Sequence, residues 1–203
     1  MKLYVLPPSP HSKKVLFANA AMGLDLPVQV LNHAEQEQYS DWYKALNPNC
    51  RAPTLALEDG AALWESNAIL CKMAAAAKSD LWPASDARYD ILRWQFWEAS
   101  HWTPACSKYI GYYVFGNHEI DLDAAAPDFH KFAAVLEGHL AGRDWLVGDA
   151  LTLADISCAM ILFYAEPCHY PLGEYANILR WWGRIQGHEA FAAVAAASAQ
   201  AAE

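Results

Sequence analysis

The pattern of apolar residues changes near residue 80, and this change most constrains the fold. Before it, short apolar runs broken by turn residues alternate with segments of helical periodicity. After it, apolar residues recur at helical spacing almost to the Ala-rich end of the chain. The segment of residues 79–87, which contains Trp82 and Pro83, is the predicted linker. We therefore expect two domains, at residues 1–79 and 88–203.

The first domain is predicted to contain seven elements in the order β-α-β-α-β-β-α. Asp59-Gly60 lies between two short apolar runs, as is typical of a hairpin turn. The predicted elements are a strand at 2–6, a helix at 13–22, a strand at 28–31, a helix at 39–46, strands at 54–57 and 61–64, and a helix at 66–78. This segment therefore combines a small sheet with three helices.

The second domain is predicted to be helical throughout, because its apolar residues keep the helical period. The predicted helices are a long one marked by Leu92, Phe96 and Trp97 and reaching Tyr109, one marked by Phe129, Phe132, Leu136 and Leu140, and two at 152–164 and 175–186. Thr152 and Asp155 form a capping box, and Leu151 and Ile156 add a hydrophobic staple. We expect a structural role for this box, and its loss should cost roughly 1 kcal/mol or more.

Composition excludes several classes of function. The net charge of −9 and the absence of a Lys/Arg cluster disfavour nucleic acid as a partner. No apolar run approaches the roughly 18 residues that a membrane span requires, and the first run is too short for a signal peptide. The odd number of cysteines, without a C-x-x-C pair, favours free thiols in a reducing compartment, so we expect a cytoplasmic protein. No metal is expected.

Ser9 and Pro10 mark the start of the first helix. Pro suits the first helical position, which places Ser9 at the N-cap, where its oxygen can accept a backbone N–H. A helix start carries partial positive charge and unpaired N–H donors, so it stabilises a neighbouring anion. The same residues also fit an ordinary helix cap.

Pro53 enters the third predicted strand. Because Pro lacks the N–H that a strand ladder needs, its place there indicates a turn or a cis bond. With a cis bond in a thioredoxin-like domain, the backbone of Ala52 would point outward and could pair with a peptide ligand. An ordinary turn proline is the alternative.

Glu65 and Ser66 directly precede a predicted helix and follow a strand. Together they offer a carboxylate, a hydroxyl and helix-start N–H groups within one turn. Such a set suits an α-amino-acid group, since the helix start can hold its carboxylate and Glu65 its ammonium. A helix cap beside a solvated acid is the alternative.

Taken together, these features resemble the cytosolic glutathione transferases, of bacterial type and with a serine-type active site. The residues that carry the resemblance are Arg51-Ala52-Pro53, Glu65-Ser66-Asn67-Ala68-Ile69 and Leu146-Val147-Gly148-Asp149 before the capping box. The resemblance spans essentially the whole chain. It implies a thioredoxin-like α/β domain followed by an all-α domain, glutathione as co-substrate, a role in detoxification and a homodimer.

The resemblance also assigns roles to residues. It makes Ser9 the hydroxyl that activates the glutathione thiol, with Ser12 the second choice and Tyr4 the third. Glu65 and Ser66 hold the γ-glutamyl end, and the backbone of Ala52, before Pro53, pairs with the cysteinyl unit. For the glycyl carboxylate three residues stay open, namely Gln36, Gln38 and Arg51.

The resemblance implies a pocket for a small electrophile, walled by the first long helix of the second domain. Its candidate residues are Trp102, Tyr109, Tyr112 and Tyr113, with Tyr164 and His101 as weaker ones, and each of these rings also suits the core or a dimer contact. Two alternatives to conjugation stay open. One is glutathione-dependent isomerisation, dehalogenation or peroxide reduction, and another is a binding protein without catalysis. A thioredoxin-like reductase is disfavoured, because the first β-α turn has no cysteine.

Overall fold

The computed structural model describes residues 1–200, with Gln200 described by its backbone alone. Its strands and helices follow the predicted order. The strands are β1 (Lys2–Val5), β2 (Val28–Val30), β3 (Thr54–Ala56) and β4 (Ala62–Trp64). The helices are α1 (Pro10–Ala21), α2 (Asp41–Leu46), α3 (Ser66–Ala77), α4 (Ala87–Trp97), α5 (Thr103–Tyr113), α6 (Leu122–His139), α7 (Leu153–Ala159), α8 (Ala176–Gln186) and α9 (Phe191–Gln200).

The four strands form one mixed sheet in the order β2-β1-β3-β4. β1 runs parallel to β2 and antiparallel to β3, and β4 closes the edge antiparallel to β3. Leu3 lies opposite both Val28 and Leu55, and Leu55 lies opposite Leu63. Leu3 and Leu55 are fully buried, so the centre of the sheet is also the centre of the core of this unit.

Helices α1 and α3 pack against each other and bury long stretches of their surface. Val15 and Phe17 of α1 and Ile69 of α3 are fully buried. Helix α2 is shorter, and its first turn is capped by Ser40, whose Oγ accepts the N–H of Tyr43 at 3.4 Å. The first unit is thus a thioredoxin-like α/β domain, as predicted.

The second unit, Pro83–His188, is helical and confirms the predicted all-α domain. A single π-helical segment, Glu98–Trp102, joins α4 to α5, so the long predicted helix is not one regular α-helix. Thr103 donates a short hydrogen bond to the carboxylate of Glu98, which is fully buried at this break. The core of the unit is aromatic and includes Trp102, Phe129 and Trp181.

The two units differ in one respect from the predicted boundaries. The chain divides between Trp82 and Pro83, inside the predicted linker, but the described residues from Glu189 onward belong to the first unit. Helix α9 packs on α1, with Val194 fully buried, and residues 201–203 lie outside the described part. None of the helices in residues 1–200 has both the length and the hydropathy to cross a membrane.

Candidate active site

The turn that leads from β1 into α1 carries Ser9. We call residues 6–9 the Ser9 turn. The Ser9 N–H donates to the Leu6 carbonyl at 2.8 Å, and the Leu6 N–H donates to Ser12 Oγ at 3.0 Å. Pro10 is the first residue of α1 and Ser9 is its N-cap, as predicted, but no capping bond of the Ser9 side chain occurs within the described residues. The Ser9 hydroxyl is half-buried and is not used to cap the helix.

The structure brings the start of α3 to the start of α1. Ser66, the first residue of α3, is buried, and its Oγ lies 3.4 Å from Nδ1 of His11. Glu65 precedes it with an exposed side chain and a backbone at φ 71° and ψ 112°, which residues other than glycine seldom adopt. The starts of α1 and α3, with their unpaired N–H donors, therefore lie next to each other, and Glu65 with its carboxylate directly precedes α3.

The loop before β3 is held by a buried polar cluster. The Tyr43 hydroxyl donates to the Arg51 carbonyl at 2.8 Å and lies 2.8 Å from Thr54 Oγ1. Asn47 Nδ2 donates to the same two acceptors, at 2.7 and 3.1 Å. Burial raises the pKa of Tyr43, so its hydroxyl keeps its proton and stays a donor. The loop therefore has one defined path into β3.

The Ala52–Pro53 peptide bond at the end of this loop is cis, which is one of the two possibilities that the sequence left open. Pro53 is buried, and Ala52 lies outside the strands. Among the described residues, no turn or loop hydrogen bond uses the N–H or the C=O of Ala52. The Ala52 backbone is thus open to an added partner.

The three candidates for the glycyl carboxylate differ in exposure. The side chains of Gln36 and Arg51 are exposed, whereas Gln38 is buried. Gln38 Oε1 has no hydrogen-bond partner in the described part of the chain. The guanidinium of Arg51 carries the only positive charge among the three.

Ser12 and Tyr4, the alternatives to Ser9, have other surroundings. Ser12 is fully buried, and its Oγ already accepts the Leu6 N–H. Tyr4 alternates with the buried Leu3 and Val5 along β1, so it lies on the opposite sheet face. Its ring contacts Trp42 and Tyr43, with centroids 5.6 and 6.1 Å apart.

The aromatic residues predicted for an electrophile pocket separate into core and surface. Trp102 is 0% exposed, and its Nε1–H donates to the Cys158 carbonyl at 3.1 Å. Tyr109 is buried between Phe129 and Tyr170, which raises its pKa. Both rings therefore pack the helical core, which is the alternative that the sequence left open for them, and they do not line a pocket surface.

Tyr113 differs from these two rings, because 43% of its surface is exposed and it contacts the rings of Tyr112 and His169. Tyr164 is buried, and burial raises its pKa to about 12. His101 is exposed and stacks on Phe132, with centroids 4.9 Å apart. Only part of the predicted set is therefore accessible to a ligand.

Two family models match the chain and together span most of it. The glutathione S-transferase N-terminal domain matches residues 8–76, and the glutathione S-transferase C-terminal domain matches residues 91–189. The chain belongs to the glutathione S-transferase family. Its fold is accordingly the glutathione transferase fold, with the thioredoxin-like domain first and the helical domain second.

Curated relatives and solved structures agree with this assignment. Glutathione S-transferase D7 of Anopheles gambiae is 29% identical over 197 residues, covering 92% of this chain and 88% of the relative. Glutathione S-transferase D7 of Drosophila melanogaster is 25% identical over 185 residues, covering 89% and 82%. The crystal structure of a glutathione S-transferase from Pseudomonas fluorescens has a TM-score of 0.84 and 28% identity, covering 93% of this chain and 96% of that one. The chain is thus an enzyme, a glutathione transferase.

Sequence reasoning missed several residues around the site of this transferase. His11 was not among the candidate residues, yet it is half-buried and contacts Ser66. Lys13 was given no role, and it is buried with its Nζ on the Pro7 carbonyl. No local sequence pattern predicts these contacts, because they depend on which helices pack together on the sheet. Within residues 1–200, no group of three or more His, Cys, Asp or Glu side chains is placed to hold a metal ion.

Proposed function

We propose that this transferase binds glutathione at the adjoining starts of α1 and α3 and uses its thiolate to attack small electrophiles in the cytoplasm. The observation that carries the proposal is the distance of 3.4 Å between Ser66 Oγ and His11 Nδ1, which joins the two helix starts. Unpaired N–H groups and partial positive charge at both starts favour an anion between them. Glutathione supplies carboxylates and, after ionisation, a thiolate.

Ser9 is the hydroxyl that we propose for the thiolate, which makes the site serine-type. Its side chain is half-buried at the N-cap of α1 and makes no capping bond in the described residues. Ser12 is closed in by the core and already accepts the Leu6 N–H, and the Tyr4 ring packs against Trp42 and Tyr43 of α2. These surroundings favour Ser9 over both alternatives.

The magnitudes are sufficient for thiol activation. A free thiol titrates near ~8.5, and each unit of depression requires about 1.4 kcal/mol. A hydroxyl that donates to the thiolate contributes roughly 1.5–3 kcal/mol, as hydrogen bonds to charged groups do. The start of α1 adds about 0.3–1 kcal/mol. The pKa of the bound thiol then falls by about one to three units, so no general base is required at neutral pH.

The rest of the tripeptide is assigned to the remaining site residues. The exposed Glu65 carboxylate accepts the ammonium of the γ-glutamyl unit, and the α3 start at Ser66 holds its carboxylate. The backbone of Ala52, which is open at the end of its loop, pairs with the cysteinyl unit as an added strand does. For the glycyl carboxylate we propose Arg51, because its guanidinium is exposed and charged whereas the Gln38 amide is buried.

Tyr113 is the residue that we propose for contact with the electrophile. Of the four main pocket candidates it has the largest exposed surface, since Trp102 and Tyr109 are buried and Tyr112 is half-buried. Conjugation consumes the thiolate: its sulfur forms a bond to the electrophilic carbon, and a leaving group departs or a conjugated double bond takes up the electron pair. We propose a bacterial-type transferase of this kind.

The role of Ser9 is tested by Ser9→Ala with Ser107→Ala as the control, since Ser107 is an exposed helical serine outside the site. We expect Ser9→Ala to lower kcat with an activated aryl halide by about 10- to 100-fold, because a hydrogen bond to a charged group is lost. Calorimetric affinity for glutathione should change less than about threefold, because the glutamyl arm is held elsewhere. Equal kcat values for Ser9→Ala and the control would remove Ser9 from the mechanism.

Assays of the parent protein with several electrophiles separate conjugation from its alternatives. A conjugating enzyme yields a thioether and consumes glutathione, whereas glutathione-dependent isomerisation returns it and peroxide reduction yields its disulfide. Product analysis by mass spectrometry distinguishes these outcomes. Binding of glutathione without turnover of any electrophile would indicate a protein that binds but does not catalyse.

We also propose that the transferase is a homodimer. Tyr89 and Phe96 lie seven residues apart on one face of α4 and are 72% and 68% exposed. Large exposed apolar rings on one helix face favour a partner surface. Sedimentation at micromolar concentration should show a dimer, and a monomer alone would contradict the proposal.

A further inference from the structure

The Ser9 turn is held by a buried lysine from the helix that it precedes. Lys13 is 1% exposed, and its Nζ donates to the Pro7 carbonyl at 2.7 Å. Pro7 and Pro8 have no N–H, so the middle of the turn offers only carbonyl acceptors to its surroundings. The Lys13 ammonium therefore supplies a donor that the turn itself lacks.

The second acceptor of Lys13 comes from the far end of the chain. Its Nζ donates to Ser198 Oγ at 2.6 Å, and the Ser198 hydroxyl in turn donates to the Val194 carbonyl at 2.8 Å. Val194 and Ser198 are four residues apart and share one face of α9, and Val194 is fully buried. In a helix rich in alanine, Ser198 thus connects α9 to Lys13 of α1.

We propose that Lys13 is a positioning residue for Ser9 and that α9, through Ser198, sets the position of the Lys13 ammonium. The inference rests on the proposed role of Ser9 in thiolate stabilisation. Its new content is that the C-terminal helix belongs to the support of the thiolate site.

The physical reason is the cost of removing an acceptor from a buried ammonium. When Ser198 is removed, Nζ loses a hydrogen bond of 2.6 Å that fixes its direction, and it shifts toward other groups. The Pro7 carbonyl then loses a charge-assisted bond, and the turn gains freedom. A hydroxyl displaced by about an ångström stabilises the thiolate much less.

The first measurement uses the ligand-free protein, so it does not depend on glutathione. Hydrogen exchange is followed at the Leu6 and Ser9 amides in Lys13→Met and Ser198→Ala. The assays run near pH 7, since burial lowers the pKa of Lys13 to about 8 and it is still an ammonium there. We expect exchange at both amides to be about tenfold faster in both variants.

Two matched controls separate this effect from general destabilisation. Lys72→Met changes an exposed lysine on α3, and Ser107→Ala changes an exposed serine on α5. Alanine has the higher helix propensity, so Ser198→Ala does not weaken α9 as a helix. Both controls should leave exchange in the Ser9 turn unchanged.

The second measurement determines kcat, glutathione affinity and the pKa of the bound thiol in the same variants. We expect Lys13→Met and Ser198→Ala each to lower kcat about tenfold, with glutathione affinity within about twofold of the parent protein. The double variant should be no slower than Lys13→Met alone, because both substitutions break one chain of bonds. The pKa of the bound thiol should rise in both single variants.

Either of two results overturns the inference. One is unchanged amide exchange in the Ser9 turn of both variants. The other is an unchanged kcat and bound-thiol pKa alongside a lower melting temperature, which indicates support of the fold alone. Failure of the parent protein to take up glutathione refutes the proposed function instead, and the exchange measurement still decides whether Lys13 and Ser198 hold the turn.

Discussion

Glu65 has a backbone conformation that rarely suits a residue with a side chain. Its φ of 71° and ψ of 112° place it outside the regions that L-residues favour, at a cost on the order of 1–3 kcal/mol. Its side chain is exposed and makes no capping bond to α3 within the described residues. Neither packing nor capping thus accounts for a glutamate at this position. The proposed role of its carboxylate in holding the γ-glutamyl ammonium would account for it.

Two substitutions at Glu65 separate binding from strain. Glu65→Ala and Glu65→Gly both remove the carboxylate, so both should weaken glutathione affinity by about tenfold or more. Only glycine tolerates the positive φ, so Glu65→Gly should unfold with a free energy about 1 kcal/mol higher than Glu65→Ala. Calorimetry and urea denaturation measure the two effects. Equal affinities in the parent protein and both variants would refute the role of Glu65.

Sequence reasoning succeeded for residues whose role is local. The place of Ser9 at the N-cap follows from neighbouring residues and is present in the structure, and the bond before Pro53 is cis, one of the two possibilities left open there. It did not decide the place of Trp102, for which both a pocket wall and the core stayed open and which is fully buried. Periodicity identifies the buried face of a helix but does not tell a core from a ligand cavity, since both are lined by aromatic rings.

Helix α7 shows how much one side chain organises an element. Asp155 Oδ2 accepts the N–H and the hydroxyl of Thr152, at 2.9 and 3.0 Å, which completes the predicted capping box. Its Oδ1 accepts the Leu146 N–H and the Trp181 indole N–H, at 2.8 and 2.9 Å. Burial raises the pKa of Asp155, and the four hydrogen bonds oppose that shift. The carboxyl group therefore connects α7, α8 and the loop before α7.

Removal of this group should destabilise the helical unit strongly. In Asp155→Ala, four buried donors lose their acceptor, and each unsatisfied group costs about 1–3 kcal/mol. We expect the free energy of unfolding to fall by at least about 3 kcal/mol, well above the roughly 1 kcal/mol of a simple cap. Asp149→Ala, at an exposed aspartate of the preceding loop, is the control and should change it by less than about 0.5 kcal/mol. A similar small change in both would contradict this account of α7.

The elements themselves were largely predictable, and the exceptions have physical causes. The order of strands and helices in the first domain follows from turn residues and periodicity, and the structure confirms it. Phe96 was expected to mark a buried helix face, but it is exposed, and Ile91 and Trp94 face the core instead. The π-helical segment at Glu98–Trp102 shifts the helical phase, which a search for one fixed period does not detect.

At the scale of the whole chain, the first unit is built from two separate segments. Residues up to Trp82 form the sheet and its helices, and the described residues from Glu189 onward rejoin them. The Ala-rich composition of α9 gave no sign of where it packs, because the buried Val194 and Ser198, which accepts from Lys13 of α1, are single residues among alanines. The packing of this last segment on the first unit depends on long-range contacts. Domain boundaries predicted from local sequence patterns therefore do not include it.

The most direct measurement of the central claim is the pKa of the bound glutathione thiol, titrated through the ultraviolet absorbance of the thiolate. In the parent protein we predict a pKa about one to three units below the free value of ~8.5, and in Ser9→Ala a return upward by about one unit or more. A bound thiol that titrates as the free one does, or no calorimetric uptake of glutathione at millimolar concentration, would contradict the claim that this site holds a thiolate.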